Sequence, residues 1–165
     1  MLALEVISAF LVAVAMSLAL AHALEFPGKL RLDERTYMAV QTIYYPGFTL
    51  GGIGEPLAAI ATFILLLVGH DRGADFWLLL IAFAAIVAMQ AIFWLITQPT
   101  NKHWLKNQPM GRAGAKFFAV DQTQPSSHPD DLNWIRLRNR WEYSHLARAV
   151  LSGIGFIALI IGIAM

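Results

Sequence analysis

The sequence predicts an all-α fold: an integral membrane four-helix bundle with a short interfacial helix in its first loop. Three observations predict it. Of the 165 residues, 58% are hydrophobic and 14% are charged, whereas a soluble domain is nearer half apolar and about a quarter charged. The charges fall in clusters instead of being spread along the chain. Between the clusters lie four apolar runs, each near the ~20 residues that a helix needs to cross a hydrocarbon core.

The first run, Leu2–Leu24, is interrupted only by Glu5 and Ser17. It has no positive leader and no clean small-residue cleavage site, so it reads as a retained span and not a signal peptide. Residues 25–47 follow as a loop in which "DERTYMAVQTIYY" starts at an N-cap residue, Asp33, and ends at Pro46-Gly47. That is the signature of a short helix lying in the membrane interface. The second run is Phe48–Gly69 and the third is Phe76–Gln98, joined by the tight polar turn "HDRGAD". Residues 99–144 form a long polar loop rich in Pro, Gly, Ser and Asp, whose last part, "DDLNWIRLRNRWEY", reads as a helix entering the fourth run, His145–Met165. The whole chain, 1–165, is one membrane domain.

Charge sets the expected orientation. The first loop carries Lys29, Arg31 and Arg35, and the third carries Lys102, Lys106, Arg112, Lys116, Arg136, Arg138 and Arg140; the middle turn has only Arg72. Ten cations against one put loops 25–47 and 99–144 in the cytoplasm and both termini outside. A bacterial inner membrane is the expected location, with the lipid bilayer as the first partner. The net charge of +1 gives no sign of a nucleic-acid partner. With no cysteine in the chain, disulfides, thiolate catalysis, iron–sulfur clusters and thiolate zinc sites are excluded.

The polar residues within the runs then converge. "HALE" closes the first run with His22 and Glu25, and "RWEYSH" opens the fourth with Glu142 and His145. In this topology the two pairs lie at one membrane depth, in the reversed order that antiparallel helices need to match. Glu55 sits about seven residues inside the second run, roughly 10 Å along a helix. Asn101 and His103 lie at the end of the third. Trp141, His145 and Arg148, spaced i, i+4, i+7, share a helical face. An ionisable side chain inside a span is costly and marks a candidate site. Two readings stand side by side. In one, His22, Glu25, Glu55, Glu142 and His145 hold a divalent metal (iron, copper, zinc or manganese), since four-helix di-iron proteins use Glu-x-x-His and "EYSH" has that spacing; a haem held between His22 and His145 is a variant. In the other, the same residues form an ion-pair network with Arg148 and Arg140 that locks the bundle, with Glu55 paired to Arg148 or Lys29. Tyr37, Tyr44, Tyr45 and Phe48 gather beside this region, either as a lid over a lipophilic aromatic ligand or as an interfacial helix resting on lipid. His70, Asp71 and His128 read as solvated. Gln90 is placed to hydrogen-bond between helices. "GGIG" at 51–54, with Gly153, Gly155 and Gly162, offers small-residue faces for helix packing, a homodimer or a larger membrane complex.

"PTN" at 99–101, followed by Trp141, His145 and Arg148 at the entry to the last run, resembles the anthrone oxygenase-like membrane family. That resemblance implies four spans and an oxidoreductase or oxygenase acting on a lipophilic aromatic or quinone-like substrate. It makes Asn101, Trp141, His145 and Arg148 the site candidates; Glu55 joins the catalytic set as an ionisable residue inside a span, and Tyr44 and Tyr45 join Trp141 against the substrate as the aromatic neighbours of this region. His145 would serve as base or ligand, Arg148 would stabilise a developing phenolate or enolate, and Asn101 would orient the substrate. A metal- or haem-binding protein and a non-catalytic subunit remain the alternatives.

Overall fold

A computed structural model describes residues 1–68, 73–105, 112–117 and 131–165. It is 91% helical and has no strand among the described residues. The helices are α1 (Leu2–Lys29), α2 (Glu34–Gln41), α3 (Gly47–Gly51), α4 (Gly54–Val68), α5 (Ala74–Ile92), α6 (Gln98–Trp104), α7 (Arg112–Phe117) and α8 (Asp131–Ala164). Four stretches are long and apolar enough to cross a membrane: Leu2–Lys29, Gly47–Val68, Ala74–Trp104 and Asn133–Ala164. The turn containing His70 and Asp71 and the segment containing His128 lie outside the described residues.

The four spans close into a ring. The α1 helix packs against α4 and α8, and α5 packs against the same two. The first and last spans are therefore neighbours, which brings the two ends of the sequence to one site. The inward stripe of α1 runs Ser8, Val12, Ala15, Ala19, His22 and Lys29, all buried, at the three-and-four spacing of one helical face. It meets Ala58, Leu65, Ala82, Ile86 and Leu159 in the main core. The outward faces carry exposed Leu, Ile, Phe and Val, among them Val6, Phe10, Ile60 and Ile157, as hydrocarbon contact requires.

Small residues set the spacing inside this ring. A Cβ on Gly155 would sit 3.3 Å from Ile86 Cδ1 and 3.4 Å from the Ala82 carbonyl oxygen on α5. One on Gly51 would lie 2.8 Å from Leu18 Cδ1 on α1. Gly162 likewise faces Leu78 and Leu79. The glycine faces that the sequence offered to a partner are largely consumed within the bundle; Gly153 alone of the three on α8 meets nothing within 4 Å.

Three helices run further than the hydropathy runs suggest. The α1 helix continues past Leu24 because Glu25 and Lys29 find partners on other elements. The third span continues through Pro99 to Trp104, although that segment reads as loop. Pro99 has no N–H and its ring crowds the carbonyl four residues back, which is Leu95. The helix widens into a π turn over Phe93–Thr97, and the Leu95 carbonyl accepts from Arg140 Nη2 at 3.4 Å. The α8 helix absorbs the predicted entry helix, so residues 131–144 are continuous with the fourth span. The predicted cap of α2 is present: Asp33 accepts from the Thr36 N–H at 2.8 Å, and this bond holds its carboxyl below the usual range.

Gly155→Leu is expected to lower the thermal unfolding midpoint in detergent, reflecting an overpacking cost of about 1–3 kcal/mol. Gly153→Leu, on the same helix but facing open space, is expected to leave it nearly unchanged. Equal effects of the two substitutions would contradict the packing described here.

Candidate functional site

At the end of the bundle where α1 finishes and α8 enters, polar side chains from all four spans are buried together. Deepest is Glu55, whose Oε1 is paired with the Arg148 guanidinium. Gln90 Nε2 donates to the other carboxylate oxygen at 3.3 Å. The pair joins α4 to α8, and Gln90 adds α5. The sequence left Glu55 a choice between Arg148 and Lys29; the structure selects Arg148.

One turn toward the loops is an aromatic cage. The His145 and Trp141 rings are 4.0 Å apart between centroids, and His145 and His22 are 4.1 Å apart. Tyr44 and Phe48 close on His22 at 4.5 and 4.7 Å. The Trp141 indole N–H donates to Asn101 Oδ1 at 2.8 Å, so Asn101 fixes the tryptophan that α8 presents. His145 Nδ1 lies 3.0 Å from the Trp141 carbonyl oxygen. A carbonyl only accepts, so this contact puts the imidazole proton on Nδ1 and leaves Nε2 with a free lone pair.

Behind the cage is a second polar layer centred on Lys29, which is 3% exposed. Its Nζ lies 3.0 Å from Glu25 and 3.6 Å from Glu142, and over the Tyr44 and Trp141 rings at 4.7 and 4.9 Å. The Tyr37 hydroxyl donates to Glu142 at 2.9 Å, and the Tyr44 hydroxyl donates to Glu25. Burial and the adjacent carboxylates push both phenols above their ordinary range, so they stay protonated and act as donors. The "HALE" and "EYSH" pairs do face each other, with Lys29 between their carboxylates.

These groups surround a cavity of about 250 Å³, near the small end of the ~300–1,000 Å³ range of ligand pockets. His145, Arg148, Asn101, Glu55, Tyr44, Tyr45 and Trp141 all line it, as does His22. Glu25 and Glu142 do not; they stand behind the wall. The sequence reading missed Gln41, Phe93, Trp94 and Trp104, which also line the cavity, and the central role of Lys29. A signal for Gln41 was present: it lies one turn after Tyr37 on the inward side of α2.

The predicted metal set finds no support in this geometry. Among the described residues, no three His, Asp or Glu side chains come together as a ligand group. Glu55 is taken by Arg148, and Glu25 and Glu142 by Lys29 and the two tyrosines. In this arrangement His22 and His145 are in direct ring contact, which leaves no space between them for the iron of the haem variant. Two imidazoles on opposite faces of one metal each keep a nitrogen about 2 Å from it, which separates the rings well beyond the direct contact of His22 and His145.

Neither a curated protein nor a solved structure matches the chain. The family model described as anthrone oxygenase matches residues 41–158. That stretch runs from the end of α2 into the last turns of α8 and contains Asn101, Trp141, His145 and Arg148. It covers well over half of the sequence, and on that match the chain belongs to the anthrone oxygenase family.

Proposed function

We propose that this protein is a membrane oxygenase that converts a lipophilic aromatic substrate of the anthrone kind to the corresponding quinone in the cavity between α1, α4, α5 and α8. The observation that carries the reading is His145: its Nδ1 is committed to the Trp141 carbonyl, and its Nε2 is left as a proton acceptor in an aromatic-walled cavity beside the Arg148 cation. The family match supports the oxygenase class.

The methylene of an anthrone lies opposite a carbonyl, across one ring. His145 Nε2 takes one methylene proton, and the electron pair spreads to the carbonyl oxygen as an aromatic oxyanion. Arg148 stabilises that charge; its Nε is buried without a hydrogen-bond partner, whereas its Nη2 is held by Glu55. Dioxygen accepts the electrons and forms a bond to the former methylene carbon, and His145 returns its proton to the peroxide. Loss of the second hydrogen with cleavage of the O–O bond releases water and leaves a carbonyl. One dioxygen is consumed, one of its atoms stays in the quinone, and the other leaves as water with both methylene hydrogens. Asn101 acts through Trp141, as a positioning residue. Tyr44, Tyr45 and Trp141 supply flat walls for the rings.

The orientation read from charge accompanies this proposal. It opens the site to the cytoplasmic interface, where a lipophilic substrate collects, with both termini outside.

Oxygen uptake by the purified protein in detergent, with an anthrone as substrate, tests the activity. His145→Ala is expected to lower kcat/KM by about 10²–10⁴, the usual contribution of a positioned base. Substrate-dependent uptake that survives this change intact would remove His145 from the reaction. The orientation is tested separately, since the chain has no native cysteine. Met165→Cys should react with a membrane-impermeant maleimide in intact cells, and Lys116→Cys only after permeabilisation; the reverse pattern would invert the topology.

A further inference from the structure

The cavity has polar groups that the proposed chemistry does not use. Gln41 and Trp104 line it, and they are 3% and 5% exposed. Gln41 Nε2 and Trp104 Nε1 are buried without a hydrogen-bond partner. A buried donor left unsatisfied is costly, and native structures hold few of them. Both unpaired atoms carry hydrogens, and an indole N–H can only donate. They therefore call for an oxygen acceptor from outside the chain.

Their place in the fold separates them from the reacting end. Trp141 and Asn101 mark one level of the bundle through their 2.8 Å hydrogen bond. Arg148 is seven residues further into the membrane along α8, and Trp104 is three residues further toward the loops along α6. At 1.5 Å per residue the two backbone levels are roughly 15 Å apart. Tyr37, one turn before Gln41, packs on the Trp104 ring at 5.4 Å between centroids, so α2 and the end of α6 form this loop-side region together. The walls between the two levels are aromatic.

We infer that Gln41 and Trp104 form a second binding pole of the cavity, which donates hydrogen bonds to an oxygen substituent on an outer ring of the substrate, away from the reacting carbon. The pole selects oxygenated polycyclic aromatics over unsubstituted ones. It rests on the reading of the cavity as the site of a lipophilic aromatic substrate, and adds the residues that sort members of that class. A ring hydroxyl or its phenolate offers these donors an acceptor; an unsubstituted ring leaves both unpaired.

The test is equilibrium binding, followed by quenching of intrinsic fluorescence, so that no turnover is needed. The probes are anthraquinone and its ring-hydroxylated derivatives, which share the central carbonyls and differ only in the outer oxygen. Wild-type protein is expected to bind a hydroxylated quinone roughly threefold to tenfold more tightly per hydrogen bond gained. Gln41→Leu and Trp104→Phe should each reduce that preference while leaving affinity for plain anthraquinone within about twofold. Gln41→Leu removes a buried amide nitrogen that has no partner, so its thermal midpoint without ligand should be unchanged or higher. A preference that persists in both variants overturns the inference. So does a lowered midpoint with unaltered affinities, the mark of a purely structural glutamine. If wild-type protein binds both quinones equally, only the second pole falls; if it binds neither, the aromatic-substrate reading falls with it.

Discussion

The buried pair of Glu55 and Arg148 is the interaction on which the site depends. Removing two charges from water is expensive, and the attraction between them repays it only with good geometry and further hydrogen bonds. Here Gln90 supplies one such bond, and the result ties three of the four spans at one depth. Losing either partner would strand a charge inside the bundle, at a cost of about 3–5 kcal/mol. The pair therefore holds α8 in one register against α4 and α5. With that register set, His145, one turn nearer the loops, meets His22 on α1, and Trp141 meets Asn101 on α6.

A second layer does for the first loop what this pair does for the spans. Lys29 stands between Glu25 and Glu142, and each carboxylate accepts from a tyrosine of the loop, Tyr44 and Tyr37 respectively. The α2 helix and the turn after it, residues 34–45, are thus fastened to α1 and α8 by hydrogen bonds as well as by packing. They form one wall of the cavity through Gln41, Tyr44 and Tyr45. The same carboxylates that resemble metal ligands in the sequence are used here to anchor a helix. The catalytic candidates are left in a largely aromatic chamber with two imidazoles, His22 and His145, and one partly unpaired guanidinium.

The spans were legible because hydrocarbon imposes a length and a composition that few other environments do. The convergence of the polar residues was legible too, since antiparallel spans put the end of the first and the start of the last at one depth. Glu55 as a partner of Arg148 was one of two choices. Side-chain reach across a bundle is not written in spacing, and this hid the sharing of Lys29 between two carboxylates. It also made three carboxylates that are engaged by Arg148, Lys29 and two tyrosines look like metal ligands. Helix ends were hidden for a related reason. Pro99 signals a stop by its own chemistry, and only a donor 41 residues later, Arg140, satisfies the carbonyl it displaces. Gln41 and Trp104 were hidden because each looks like an ordinary interfacial residue until the cavity is seen.

The central claim is that this chamber joins dioxygen to an aromatic substrate. The most direct measurement is a turnover of an anthrone under isotopically labelled dioxygen, with mass analysis of the quinone and of the water released. One labelled atom per quinone formed is expected, with the second in water. A quinone that forms without the label would contradict the claim: oxygen would then come from another source, and the cavity would not be an oxygenase site.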